Sequence, residues 1–63
     1  ILLGTRVLLI DDVLATGGTM RAGINLVEAI GGTVVGAITV IELVSLNGRQ
    51  KLTPYNVQSL IKY

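Results

Sequence analysis

The chain has 63 residues, of which 51% are hydrophobic and 14% are charged, and its formal net charge at pH 7 is +1. It contains no cysteine and no histidine, which excludes a disulfide framework, an ordinary zinc site, and catalysis by a cysteine nucleophile or a histidine base. The nearly neutral charge gives no electrostatic argument for nucleic acid or a membrane surface as a partner, and no apolar run is long enough to cross a bilayer.

The length of the chain lies below the usual range for an independent domain, and its first residue, Ile1, directly precedes a predicted strand. We therefore expect the chain to be a piece of a longer protein. No secretory signal is visible, so we expect a cytoplasmic location. The high apolar content is typical of the centre of an α/β sheet, whose strands are covered on both faces.

The first half of the chain predicts a strand followed by a helix. A continuous apolar run predicts a strand over Arg6–Asp11, which ends where two carboxylates begin. Thr19 is the predicted N-cap of a helix over about Met20–Ile30, and the glycine pair at 31–32 is expected to end it. The predicted sheet-facing stripe comprises Gly23, Leu26, Val27 and Ile30, and the predicted wet face comprises Arg21, Asn25 and Glu28.

The second half predicts two further strands. The first covers about Thr33–Leu43 and the last covers Val57–Tyr63. Between them, Ser45–Gly48 is expected to be a loop and Arg49–Leu52 one helical turn, which Pro54 ends. The order strand, helix, strand predicts a βαβ unit, so the predicted fold class is α/β with a Rossmann-like parallel sheet. The chain shows no repeat and no linker, which indicates one domain or part of one.

The two acids and the loop that follows them suit a sugar phosphate. Gly17 and Gly18 let the backbone approach a phosphate closely, and the start of a helix adds unpaired N–H groups and the positive end of its dipole. Neighbouring side chains of a strand alternate, so Asp11 and Asp12 suit the two cis hydroxyls of a ribose. The alternatives are a plain glycine turn and a solvated pair of acids. Neither a Walker A loop nor a G-x-G-x-x-G pattern is present.

The stretch from Val7 to Thr19 resembles the signature by which type I phosphoribosyltransferases bind 5-phosphoribosyl-1-pyrophosphate (PRPP). The resemblance implies the fold of that family, with ribose hydroxyls bound by Asp11 and Asp12. It implies Mg²⁺ as cofactor, held mainly by the pyrophosphate of PRPP and reached by the two carboxylates only through water. The residues that the resemblance assigns to the 5′-phosphate are Ala15, Thr16, Gly17, Gly18 and Thr19.

Within this family, the chain is similar to the adenine-specific enzymes. Ala15 and Gly18 stand where the 6-oxopurine enzymes carry an acid and often a lysine, and the segments Glu42–Leu52 and Ser59–Tyr63 are similar to the adenine enzymes' tail. The resemblance implies purine salvage, with AMP and pyrophosphate made from adenine and PRPP, and a homodimer. It also implies that Leu43 packs on the purine ring. The alternative is that Leu43 is a residue of the hydrophobic core.

The resemblance places the chain in the C-terminal part of a single phosphoribosyltransferase domain, residues 1–63. The family's pyrophosphate loop, its mobile loop with a catalytic glutamate and most of its adenine pocket lie upstream of this motif. No catalytic residue is identifiable in the chain, and we expect the chain alone to be inactive. The alternatives are a non-catalytic regulator of the same fold that binds PRPP or a nucleotide, or another type I phosphoribosyltransferase.

The remaining polar and aromatic residues have structural interpretations. Tyr55 and Tyr63 are predicted to be packing residues, although either ring could stack on a base. Arg49 and Lys51 are predicted to form a solvated face.

Overall fold

Three parallel strands form one sheet, with a helix as the crossover between the first two. The structure, a computed structural model, describes residues 1–63. The strands are β1 (Arg6–Leu14), β2 (Thr33–Glu42) and β3 (Val57–Lys62), and helix α1 covers Gly18–Ala29. The order in the sheet is β1-β2-β3, with β2 parallel to both neighbours. The predicted α/β class and parallel βαβ unit are therefore confirmed.

Strand β1 is longer than predicted. The sequence places its end at Asp11, but pairing continues through Val13 opposite Ile41 and Leu14 opposite Glu42. Tertiary pairing with a long neighbouring strand overrides the low strand propensity of the two aspartates. The carboxylates consequently lie inside the strand, and the connection to the helix shortens to residues 15–17.

The start of helix α1 also differs from the prediction. Thr19 lies inside the helix, and the N-cap is Gly17, in the left-handed conformation with φ 87° and without a side-chain cap hydrogen bond. Glycine adopts this conformation at little cost, whereas a threonine would be strained there. The helix ends as expected: Gly31 has φ 94°, and the Gly32 N–H donates to the Val27 carbonyl at 2.9 Å.

The predicted sheet-facing stripe of α1 is half wrong. Gly23 and Val27 do lie toward the sheet, but Leu26 is 64% exposed and Ile30 is 53% exposed. The buried residues of the helix are Met20 and Ile24, which share helical spacing with Val27. Of the predicted wet face, Asn25 and Glu28 are exposed, whereas Arg21 is half-buried.

The core lies between α1, the sheet and the segment that precedes β3. Its buried apolar residues are Leu14, Met20, Ile24, Val34, Ala37, Leu52 and Val57, and the half-buried residues packed against them are Leu9, Val27 and Tyr55. The other face of the sheet carries exposed apolar side chains, including those of Leu8, Ile10, Val40 and Leu60. The helix is too short to be a membrane-spanning segment.

Two short 3₁₀ helices connect β2 to β3. The first covers Val44–Leu46, so it begins one residue before the predicted loop and includes the first half of it. The second covers Gly48–Leu52, which confirms the predicted helical turn. Asn47 joins them in the left-handed conformation with φ 54°. The last strand ends at Lys62, one residue earlier than predicted. This connection brings the second 3₁₀ helix back to the carboxyl end of β1.

Candidate functional site

A pocket of about 220 Å³ lies at the carboxyl end of β1 and the start of α1. It is lined by the ten consecutive residues from Asp11 to Met20. The carboxyl ends of parallel strands are where α/β folds bind ligands. The structure thus brings together in one pocket all the residues predicted to bind ribose and phosphate: Asp11, Asp12, Ala15, Thr16, Gly17, Gly18 and Thr19.

The backbone of the pocket offers a series of free donors. The N–H groups of residues 15–20 donate to no backbone or side-chain acceptor of the chain, and the first N–H of this region with a partner is that of Arg21, bonded to the Gly17 carbonyl at 2.9 Å. The hydroxyls of Thr16 and Thr19 are exposed and have no partner in the chain. Such a set of N–H groups at a helix N-terminus favours an anion.

The two carboxylates stand next to these donors in different environments. Asp11 is half-buried, and its Oδ1 accepts a hydrogen bond of 2.8 Å from the Asp12 backbone N–H. Asp12 is exposed, and its carboxylate has no hydrogen-bond partner in the chain. Both residues therefore keep acceptor oxygens available for the hydroxyls of a sugar beside the phosphate loop.

The loop predicted to bind phosphate comprises residues 15–19 and is called the phosphate loop below; its backbone contacts Gly48 of the second 3₁₀ helix. A Cβ added to Gly48 would lie 2.8 Å from the Gly17 nitrogen and 2.8 Å from the Thr16 carbonyl carbon. A Cβ added to Gly17 would lie 3.0 Å from the Gly48 carbonyl carbon. The Cβ added to Gly17 would lie closer still to the Gly48 carbonyl oxygen, so the two backbones meet where neither glycine has room for a side chain. Sequence reasoning missed Gly48, whose only local signal is the Asn-Gly dipeptide of a turn.

A buried carboxylate holds the residue next to Gly48. Arg49 donates from Nη2 to Glu42 Oε1 at 2.7 Å and from Nε to Glu42 Oε2 at 3.1 Å, and its Nη1 donates to the Val57 carbonyl. Glu42 also accepts a hydrogen bond of 2.8 Å from the Ser59 hydroxyl. The prediction of a solvated face is therefore wrong for Arg49, because the carboxylate at the end of β2 is buried and requires a partner. Lys51 is exposed, as predicted.

The ion pair shifts the protonation equilibria of both partners. The hydrogen bond from Arg49 lowers the pKa of Glu42 from 4.5 to about 2, although burial acts in the opposite direction. The hydrogen bond to Glu42 raises the pKa of Arg49. The Glu42 carboxyl group of the folded protein is therefore ionised at neutral pH.

Leu43 lies beside the pocket without lining it. Its backbone N–H donates to the Leu14 carbonyl at 2.9 Å, which fixes it next to the end of β1. Its side chain is half-buried and does not belong to the buried core cluster. Contact with a base stays a prediction for this residue.

The two tyrosines differ from each other. Tyr55 packs against the core, as predicted, and its hydroxyl donates to the Glu28 carboxylate, which raises the pKa of Tyr55. The Arg21 guanidinium lies over the Tyr55 ring, 5.5 Å from its centre. This contact explains why the Arg21 side chain is half-buried and not fully solvated as predicted. Tyr63 is 75% exposed, so its predicted packing role is wrong.

A parallel α/β sheet whose first strand carries two adjacent carboxylates near its carboxyl end, followed by a loop of unpaired N–H groups, is typical of proteins that bind phosphorylated sugars or nucleotides. The family model described as the phosphoribosyl transferase domain matches residues 1–63. The chain belongs to this family, and its fold is the type I phosphoribosyltransferase fold. The family membership and the fold expected from the signature are therefore confirmed.

The curated relatives identify the branch of the family that the chain is similar to. It is 52% identical over 60 residues to the adenine phosphoribosyltransferase of Acetivibrio thermocellus and 57% identical over 60 residues to that of Ruminiclostridium cellulolyticum. Each match covers 95% of this chain and 35% of the relative. The chain thus spans about a third of the length of these relatives.

Solved structures agree with the sequence relatives. The adenine phosphoribosyltransferase of Thermoanaerobacter pseudethanolicus superposes with a TM-score of 0.98 and 51% identity, over 100% of this chain and 38% of that one. The enzyme from Trypanosoma brucei, solved in complex with AMP, pyrophosphate and ribose-5-phosphate, has a TM-score of 0.85 and 39% identity, over 94% of this chain and 28% of its own. The chain is thus similar to a part of each of these enzymes, 38% of the first and 28% of the second.

Proposed function

We propose that this chain is the C-terminal part of a single phosphoribosyltransferase domain and supplies its ribose 5-phosphate site. The intact protein transfers the phosphoribosyl group of PRPP to adenine and produces AMP and pyrophosphate. One observation carries the proposal: unpaired N–H groups of residues 15–20 adjoin two carboxylates with free oxygens. The similarity to adenine phosphoribosyltransferases supports the transferase over a non-catalytic regulator or another enzyme of the family.

The proposed site performs its part of the reaction mainly by positioning. In the transfer, the bond from ribose C1 to a pyrophosphate oxygen breaks, the bond from C1 to adenine N9 forms, and adenine loses its N9 proton. Donors on the loop hold the 5′-phosphate, and the carboxylates of Asp11 and Asp12 accept hydrogen bonds from the ribose hydroxyls. Fixing the sugar at both ends lowers the entropic cost of bringing C1 to the base. Leu43, beside the pocket, is the proposed contact for the purine ring.

Mg²⁺ is proposed as the cofactor, carried mainly by the substrate. The chain has no group of three or more histidine, cysteine or acidic side chains that could hold a metal ion by itself. The oxygens of Asp11 and Asp12 are donors of the kind that Mg²⁺ takes through water, together with substrate phosphates. When bound, Mg²⁺ balances the charge of the departing pyrophosphate.

The chain alone is proposed to lack transferase activity, because nothing in its pocket is assigned to proton transfer or to the pyrophosphate. For the intact protein, a cytoplasmic location and a homodimeric assembly are proposed from the family resemblance. Incubation of the isolated chain with adenine and PRPP is expected to yield no AMP, and formation of AMP would contradict this part of the proposal.

Gly18 provides a test of the phosphate site. A Cβ at this position would meet only the Thr16 hydroxyl, at 3.8 Å, so a side chain fits there without strain. Gly18→Asp places a negative charge among the loop donors, whereas Gly18→Asn has nearly the same size and no charge. An aspartate in the first turn of a helix also stabilises the helix, so we expect Gly18→Asp to fold.

The experiment measures binding of ribose 5-phosphate and of AMP to the full-length protein by calorimetry. We expect Gly18→Asp to weaken the binding of both ligands by roughly a hundredfold more than Gly18→Asn, because the aspartate carboxylate and the phosphate would repel each other at close range. Adenine, which has no phosphate, serves as the control ligand and should bind both variants equally. Equal binding of AMP by the two variants would refute the phosphate site.

A further inference from the structure

The second 3₁₀ helix is held at both ends: its last residue, Leu52, is buried in the core, and its first two residues contact the loop and the ends of β2 and β3. Gly48 touches the backbone of the phosphate loop at residues 15–17, and the neighbouring Arg49 carries all the long-range hydrogen bonds of this turn. Three donors of one planar guanidinium are used: two bind Glu42 and one binds the Val57 carbonyl. Arginine is suited to such a fork, because its donors have fixed directions.

The acceptor of this fork is itself held firmly. Glu42 is the last residue of β2 and is 5% exposed. Ser59 of β3 donates to it at 2.8 Å, and the Ser59 hydroxyl lies 3.1 Å from that of Thr39. The carboxylate thus has partners on the sheet as well as on the 3₁₀ helix, which makes it a fixed reference point for Arg49.

We propose that the Glu42–Arg49 ion pair is a positioning element of the phosphate site, which acts by pressing Gly48 against residues 15–17 and so fixing the directions of the loop N–H groups. The inference rests on the proposed function, since it concerns the same phosphate. Neither Glu42 nor Arg49 lines the pocket, so both are positioning residues and not catalytic ones.

The physical basis is preorganisation. A loop of small residues without side-chain caps has few contacts of its own to define its shape, and α1 begins without a capping side chain. A phosphate binds tightly only where several N–H groups already converge on it, because ordering them at the moment of binding costs free energy. The backbone contact with Gly48 removes this freedom in advance, and the ion pair maintains the contact.

The competing explanation is that the ion pair only stabilises the junction of β2 and β3. Val34→Ala provides the control that separates the two explanations. Val34 is buried at the opposite end of β2, where it pairs with Val7, so its truncation weakens the fold without touching the loop. The affinity for ribose 5-phosphate is compared between Val34→Ala and those ion-pair variants that lose a similar amount of unfolding free energy.

The test uses the full-length protein with Arg49→Lys, Glu42→Gln, the double variant and Val34→Ala. Lysine keeps the charge of Arg49 but loses the fork, so Arg49→Lys should fold. We expect the dissociation constant of ribose 5-phosphate to rise about tenfold in Arg49→Lys and in Glu42→Gln, and KM for PRPP to rise while KM for adenine stays unchanged. The double variant should be no worse than the single ones, because both act through one contact.

A second readout follows the loop directly. The amide chemical shifts of Gly17, Gly18 and Thr19 in the ligand-free protein should change in Arg49→Lys and stay constant in Val34→Ala. Unchanged amide shifts, or an affinity equal to that of Val34→Ala, would overturn the proposal. A wild-type protein that binds ribose 5-phosphate but makes no AMP would contradict the proposed function and leave this comparison intact. Failure of wild-type protein to bind ribose 5-phosphate would overturn both.

Discussion

Gly17 and Gly48 belong to different elements, yet their backbones are in contact and each occupies the space that a side chain on the other would need. Gly17 additionally has φ 87°, a conformation that favours glycine, whereas Gly48 has no such requirement. The two glycines are therefore irreplaceable for different reasons. Gly48 is needed for contact alone, and Gly17 is needed for contact and for its backbone conformation.

A set of three alanine variants separates these two causes. Gly48→Ala introduces only a steric conflict with the phosphate loop, and we expect a loss of about 1–3 kcal/mol in unfolding free energy together with weaker binding of ribose 5-phosphate. Gly17→Ala adds the cost of a left-handed alanine, roughly 1 kcal/mol more. Urea unfolding and calorimetric titration of the full-length protein measure both quantities.

Gly4→Ala is the matched control for the backbone term. Gly4 has φ 82°, close to that of Gly17, and a Cβ there would meet no atom within 4 Å. Its variant should therefore lose only the conformational term and bind ribose 5-phosphate normally. If Gly48→Ala were as harmless as Gly4→Ala, the close contact between the loop and the 3₁₀ helix would be wrong.

The Glu42–Arg49 pair predicts a definite dependence of stability on pH. Because the folded-state pKa of Glu42 lies at about 2, below the ordinary 4.5, its ionisation stabilises the folded protein above pH 4.5. This contribution is lost as the pH falls from 4.5 towards 2. The Arg49 side chain is 40% exposed, so water screens the pair and we expect a contribution of roughly 1–2 kcal/mol.

Glu42→Gln isolates this contribution from that of other carboxylates. At neutral pH the variant should unfold at lower urea concentration than the wild type, and the difference should shrink below pH 4.5 and vanish near pH 2. Unfolding curves of both proteins across this range give the difference directly. A difference that stayed constant with pH would mean that the contact with Arg49 does not lower the pKa of Glu42 in the folded protein.

The sheet and the phosphate loop follow from local sequence patterns, and the misplaced boundaries have physical causes. A continuous apolar run predicts β1, the richness in Val, Ile and Thr predicts β2, and an imperfect two-residue alternation predicts β3. The end of β1 depends on pairing of Val13 and Leu14 with β2, which no local pattern contains. The predicted face of α1 differs from the observed one because apolar residues occupy two overlapping stripes on the helix. Only contact with the sheet selects Met20 and Ile24 over Leu26.

The contacts that Gly48 and Arg49 make around the site are not predictable from the sequence, for a different reason. Gly48 and Arg49 lie far along the chain from the loop, and their partners are specified by the path of two short 3₁₀ helices. An arginine two residues before a lysine on a short turn is typical of a solvated surface. A charged residue at the end of a buried strand, such as Glu42, is the signal that would have indicated a buried cationic partner.

Substitution of Leu43 tests base recognition independently of phosphate binding in the proposed enzyme. It is half-buried beside the end of β1 and outside the buried core, so its truncation should cost little stability. If its side chain packs on the purine, Leu43→Ala in the full-length protein should raise KM for adenine roughly tenfold, since the lost apolar contact is worth about 1–2 kcal/mol, and leave KM for PRPP unchanged. Leu46→Ala, on the exposed end of the neighbouring 3₁₀ helix, should change neither constant. Steady-state kinetics with each substrate varied in turn decides the matter, and an unchanged KM for adenine in Leu43→Ala would show that this leucine has only a packing role.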